Sequence, residues 1–188
     1  MHTKWRRSYA RTSPRENGGV ALAAISGYAA RFNSDAVIGD YFVERLHPKC
    51  FDSALKEKAD VRCLLDHDTG RVLGRTKSGT LKLRVDRIGL YFNVDIDDTT
   101  PDGQTALGLV GRGDLSGCSF GFRVKSQEWD ESGDMPVRTI LDLDLYEVSI
   151  VAFPAYDDTV AALVQEAGNR SASVARAKAA MRRRGIAV

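Results

Sequence analysis

Cysteine is scarce: Cys50, Cys63 and Cys118 are the only three in 188 residues. Three thiols cannot all pair, and each lies in an apolar stretch, so reduced, buried thiols are expected rather than a disulfide framework. No run of about 18 apolar residues exists, which removes any candidate transmembrane helix. Residues 1–18 are basic and polar with no apolar core, so they read as a tail and not as a secretory signal. Histidine is equally sparse, with His2, His47 and His67 the complete set. The pair His67-Asp68 occurs in metal phosphohydrolases, but such centres need several further histidines that this chain does not have. No metal and no cofactor is expected. No internal repeat is present.

The acids are absent from both ends. Residues 1–15 carry Lys4, Arg6, Arg7, Arg11 and Arg15 without one carboxylate, and residues 167–188 carry Arg170, Arg176, Lys178, Arg182, Arg183 and Arg184 likewise. The formal charge of +2 therefore conceals an uneven distribution. Of 27 basic residues, 16 remain to face all 25 acids, giving residues 16–166 a charge of −9. The organisation expected is a flexible basic tail over 1–19, a folded domain over 20–166 and a basic Ala/Arg-rich extension over 167–188. Apart from Trp5 and Tyr9 the tails lack interleaved aromatics, which argues against nucleic acid and for solvated or partner-docking extensions.

Strands dominate the pattern. A first strand is expected over 20–32, then a short helix within 49–60 and a strand over 61–65. Residues 80–85 and 90–96 alternate with period two on either side of Asp86-Arg87-Ile88-Gly89, the clearest hairpin in the chain. Thr100-Pro101-Asp102 supplies an N-cap, a first-turn proline and an early acid for a helix ending near Gly111 or Gly113. Further strands are expected over 118–124, 137–141 and 143–152, with a loop around 130–134. Asp157 is read as capping a short helix over 159–166. Many strands and few helices imply an α+β, mainly β fold: a closed or partly open barrel with a few surrounding helices.

One imidazole, one hydroxyl and one carboxylate fall, in that order, on three separate strand-like segments. In Gly117-Cys118-Ser119-Phe120-Gly121-Phe122, alternation puts Cys118, Phe120 and Phe122 on the core face and Ser119 on the other, beside a glycine. Taken alone, a serine there is ordinarily a surface filler. Ser116 is its nearest competitor, but lies in the preceding turn. His67 shares its strand face with Val61, Cys63 and Leu65, and is the side chain best suited to accept a serine proton near neutral pH. Its bland reading is a histidine capping the turn at Asp68-Thr69-Gly70. Glu147 stands among Leu145, Tyr146, Val148 and Ile150, where a carboxylate needs a partner. His67 Nδ1–H would serve, as would Arg123 or Arg75. Asp66, Asp68 and Asp144 are substitutes for Glu147 beside the imidazole.

Seven short landmarks occur in a fixed order: Gly27-Tyr28-Ala29-Ala30-Arg31-Phe32, Glu44 through Phe51, Leu65-Asp66-His67-Asp68, Leu73-Gly74-Arg75-Thr76, Ser119-Phe120-Gly121-Phe122, Glu147-Val148-Ser149-Ile150-Val151 and Pro154-Ala155-Tyr156. Through them residues 25–156 resemble the prohead maturation proteases of tailed bacteriophages. One departure is Pro48-Lys49-Cys50-Phe51, where Pro-Gly-Ala-Phe is expected. The resemblance implies a fold similar to the herpesvirus assembly protease and a serine endopeptidase with a His67–Ser119–Glu147 triad. The relatives on the herpesvirus side use a histidine in the third position. It also implies, as partners, the major capsid protein precursor and the scaffold, with self-cleavage, inside the immature capsid in the host cytoplasm; an integrated prophage is a further source. A homodimer is left open. The alternative is a non-catalytic, scaffold-associated assembly protein on the same fold, against which the presence of all three side chains argues. An oxyanion hole must exist for this chemistry. Arg75 and the segment Phe153-Pro154-Ala155-Tyr156 are the places to look for it.

Overall fold

A computed structural model describes residues 23–32, 34–154 and 159–164. Both basic tails and residues 155–158, Asp157 among them, lie outside them. Among the described residues ten strands and two helices follow in the order β1 (Ala23–Arg31), β2 (Asp35–Ile38), β3 (Phe42–Leu46), α1 (Asp52–Lys56), β4 (Arg62–Leu65), β5 (Asp68–Arg75), β6 (Leu81–Val85), β7 (Gly89–Ile96), α2 (Pro101–Arg112), β8 (Gly117–Asp130), β9 (Val137–Val151) and β10 (Val160–Val164). The fold is mainly β, with few helices, as the alternating sequence implies.

Hydrogen bonding divides the described strands into two sheets. The first has the order β10-β1-β7-β6; the second runs β2-β3-β9-β4-β5, with β8 also pairing β9. No ladder among the described residues joins the sheets into a closed barrel. The long strand β9 organises the second sheet. Antiparallel β8 follows its full length on one edge. On the other edge lie two parallel partners in succession, β3 against Val137 to Ile140 and β4 against Glu147 to Ile150.

The core lies between the sheets and under the helices. Ile25, Leu90, Phe92, Val94 and Ile96 contribute from one sheet, and Cys63, Leu65, Cys118, Phe120, Val148 and Ile150 from the other, all at most 6% exposed. Phe51, at the start of α1, packs edge-on against Phe120 at 5.6 Å, and Phe120 stacks on Phe122 at 4.8 Å. Burying aromatic pairs of this size adds to area-driven stability through their edge and face electrostatics. α2 forms where its caps demand. Thr100 accepts a hydrogen bond from Gly103 N–H at 3.1 Å, Pro101 opens the first turn, and Gly113 ends the helix at φ 82°.

Several expected elements differ. Residues 160–164 are not the start of a helix; they form β10, paired antiparallel with β1 from Ala24 to Tyr28. The two strands expected over 137–152 are one, and the strand from 118 continues to Asp130. β2, β3 and β5 were not expected; the Asp68-Thr69-Gly70 segment read as a turn is the beginning of β5. All three thiols are buried and unpaired. Burial pushes the Cys50 thiol up to about 12 and the Cys63 and Cys118 thiols well above their ordinary range.

Candidate active site

The placement of Glu147 depends on one extra residue. Simple alternation would put Leu143, Leu145 and Glu147 on one face of β9, and both leucines are buried in the core. In the ladder with β8, Gly121 faces Glu147 and Phe122 faces Leu145, leaving Tyr146 without an opposite number. This β-bulge reverses the alternation. Leu145, Val148 and Ile150 stay in the core, while Glu147 and Ser149 pass to the opposite face of the sheet. A carboxylate that would have been buried among leucines is thereby delivered to the outer face.

Ser119 reaches the same face from β8, opposite Ser149 in the ladder. It is the only side chain in the row Gly117, Ser119, Gly121, and both glycines are required by what lies on them. A Cβ at position 117 would stand 2.8 Å from Pro154 Cδ, and one at 121 would stand 2.6 Å from Glu147 Oε1. Pro154 therefore sits on one side of Ser119 and the Glu147 carboxylate on the other. As expected, Ser119 lies on the face opposite Phe120. It is nevertheless only 6% exposed, because this part of the outer face is covered. The preceding residue is clamped: buried Thr159 accepts a hydrogen bond from Cys118 N–H and donates to Cys118 C=O.

His67 does not continue the β4 strand as the alternation suggested. Asp66 and His67 both adopt left-handed backbone, at φ 55° and 59°, between Leu65 and Asp68, which pair across the ladder. Two consecutive residues at positive φ make the tight connection that suits antiparallel strands. Neither is glycine, and such conformations persist only where the surroundings fix them. Asp66 N–H donates to Ile150 C=O at 2.9 Å, anchoring the turn to β9. The turn brings His67 Nδ1 to 2.7 Å from Glu147 Oε1. The imidazole remains about half exposed, whereas the Glu147 side chain is 13% exposed. The other carboxylate oxygen, Oε2, accepts a hydrogen bond from Ser149 Oγ at 2.5 Å.

The remaining candidates are engaged elsewhere. Asp144 pairs with Arg123 at 2.6 Å, Asp68 accepts from Gly70 N–H, and Asp66 Oδ1 faces Ala152 N–H. Arg75 is held by Asp60 at 2.7 Å, at the end of the β4–β5 ladder away from His67, so it offers nothing to an oxyanion. His47 Nδ1 accepts from Lys49 N–H within its own turn. Among the described residues no cluster of three or more His, Cys, Asp or Glu side chains is arranged to hold a metal, and no helix is long and apolar enough to cross a membrane. Sequence reasoning did not single out Ser149, although its two-residue spacing from Glu147 was a usable signal. It also missed the bulge.

A nearly buried carboxylate oriented on an imidazole, with a lone serine on the adjoining strand, supplies the parts a serine hydrolase requires. Comparison of the whole chain with known families narrows that class. Residues 10–173 match the profile of the caudovirus prohead serine proteases, and the chain belongs to that family. It is 33% identical over 96 residues to the prohead protease of Escherichia phage T5, an alignment covering 51% of this chain and 42% of that protein. The chain thus spans less than half the length of this relative. Among solved structures it is similar to the KSHV protease in complex with a hexapeptide phosphonate inhibitor, with a TM-score of 0.49, 13% identity, and 89% of this chain and 80% of that chain covered. It is likewise similar to the varicella-zoster virus protease, with a TM-score of 0.48, 16% identity, and coverage of 86% and 77%.

Proposed function

We propose that this chain is a serine endopeptidase in which Ser119 is the nucleophile, His67 the general base and Glu147 the residue that orients the base. The observation that carries the reading is the 2.7 Å pair between His67 Nδ1 and Glu147 Oε1, on the same face as Ser119. With Nδ1 protonated and held by the carboxylate, Nε2 is the basic nitrogen. It takes the Ser119 proton as Oγ attacks the scissile carbonyl, and returns it to the leaving amine. Glu147 stabilises the imidazolium formed in between. A contact between nucleophile and base commonly tightens only in the complex with substrate.

The substrates in this reading are the scaffold and the major capsid protein precursor, with self-cleavage, inside the immature shell in the host cytoplasm. The catalytic unit is residues 20–166. The tails, whose charge opposes that of the body, dock the enzyme on acidic scaffold surfaces before the shell closes. Co-expression with the neighbouring capsid gene and mass measurement of the products tests the assignment. Wild type is expected to yield a shortened capsid protein and Ser119→Ala the intact precursor. Intact precursor in both would refute it.

A further inference from the structure

We infer that Ser149 is a positioning residue that acts through Glu147; the inference rests on the catalytic reading above. The carboxylate has two oxygens and two partners. Oε1 meets His67 Nδ1 at 2.7 Å, and Oε2 receives the Ser149 hydroxyl proton at 2.5 Å. His67 is about half exposed, so its ring is the less enclosed of the two partners. Ser149 is 1% exposed and lies within the ladders of β8 and β4, opposite Ser119 on one side and Leu64 on the other. Its hydroxyl is the rigid contact, and it fixes the rotation of the carboxylate before the imidazole arrives.

The geometry leaves the carboxylate few alternatives. The Tyr146 bulge fixes which face Glu147 takes, and Gly121 provides the space over which its side chain lies. Neither sets the torsion of the carboxylate plane. Without Ser149, Oε2 would have no partner in a largely buried setting, and the group would rotate to seek one. The Ser149 proton is already committed to the Glu147 carboxylate and not to an imidazole, so its hydroxyl is not set up as a nucleophile. A serine that merely filled the strand would have no reason to aim at the one carboxylate that touches His67.

The test uses the rate at which a fluorophosphonate probe modifies the full chain, followed by intact mass and peptide mapping, with thermal melts to verify folding. Ser149→Ala is expected to lower the maximal labelling rate at Ser119 about tenfold, the scale of a lost hydrogen bond to a charged group, with half-saturating concentration unchanged. In a Glu147→Ala background the same substitution is expected to cost less than about twofold, because the carboxylate it acts through is gone. Should Ser149→Ala not fold, Ser149→Cys keeps the volume, removes most of the donor strength, and enters the same cycle. An equal loss in both backgrounds, an unchanged rate, or a loss confined to half-saturation would overturn the positioning role while leaving the functional reading intact. Absence of an adduct on Ser119 in the wild type would overturn the functional reading, and this inference with it.

Discussion

Replacing Gly121 by alanine perturbs the site without substituting Ser119, His67 or Glu147. The added Cβ would stand 2.6 Å from Glu147 Oε1, 3.0 Å from Cγ and 3.1 Å from Cδ. Ordinary contact for such atoms is about 3.5 Å, so the carboxylate must withdraw by roughly 1 Å. That oxygen now sits 2.7 Å from His67 Nδ1. A withdrawal of about 1 Å along this direction would open the contact to roughly 3.7 Å, where no hydrogen bond remains. Misplacement of that size can reduce a rate about 10²-fold. Stability is a separate matter, because the displaced group is a side chain and alanine suits a strand better than glycine by about 0.5–1 kcal/mol. Gly121→Ala is therefore expected to lose 10- to 100-fold in kcat and melt within about 4 °C of the wild type. The assay is turnover of the capsid precursor beside a thermal melt. A folded Gly121→Ala protein with the wild-type rate would refute the reasoning, since Glu147 could then leave His67 at no expense to catalysis.

Other expectations follow from the same geometry. Glu147→Gln keeps the size but can present an N–H to His67 Nδ1, favouring the wrong tautomer; a loss of at least about 10² in kcat at neutral pH is expected, partly recovered at high pH, with unchanged circular dichroism. His67→Ala should be as inactive as Ser119→Ala in single-turnover assays and the double variant no worse; additive losses would separate the two residues. The buried thiols should resist Ellman's reagent in the native state at pH 8. Cys50 is shifted up from 9.0 to about 12, so the folded chain holds a proton that the unfolded chain releases, and stability should fall as pH climbs from about 9 towards 12. Denaturant titrations at pH 8 and pH 10.5 would register the loss in the wild type and a smaller loss in Cys50→Ala.

What could be read in the sequence was what neighbours decide. The hairpin of β6 and β7 and the caps of α2 depend on residues a few positions apart, and both stand where alternation and Thr100-Pro101-Asp102 put them. The face carrying Ser119 was legible because β8 alternates without interruption from Cys118 to Phe122. The short strand β10 was not: its apolar residues fit a helix as well as a strand, and pairing with β1, more than 130 residues earlier, determines the outcome. β5 is mostly exposed and polar at its start, so nothing in Asp68-Thr69-Gly70-Arg71 distinguishes a strand from a loop. The bulge at Tyr146 was hidden for a similar reason. A bulge is a count of residues across two strands, which a single strand does not contain. The left-handed turn at Asp66-His67 gave no glycine or asparagine to announce it.

The central claim is that Ser119 is the nucleophile and His67 its base. Mapping the covalent adduct of a fluorophosphonate probe on the full chain addresses it most directly. The account predicts a single modified residue, Ser119, in the wild type, and a rate of modification reduced at least about 10²-fold in His67→Ala. Modification at Ser116 or Ser149 instead, or an equal rate with His67 removed, would contradict it.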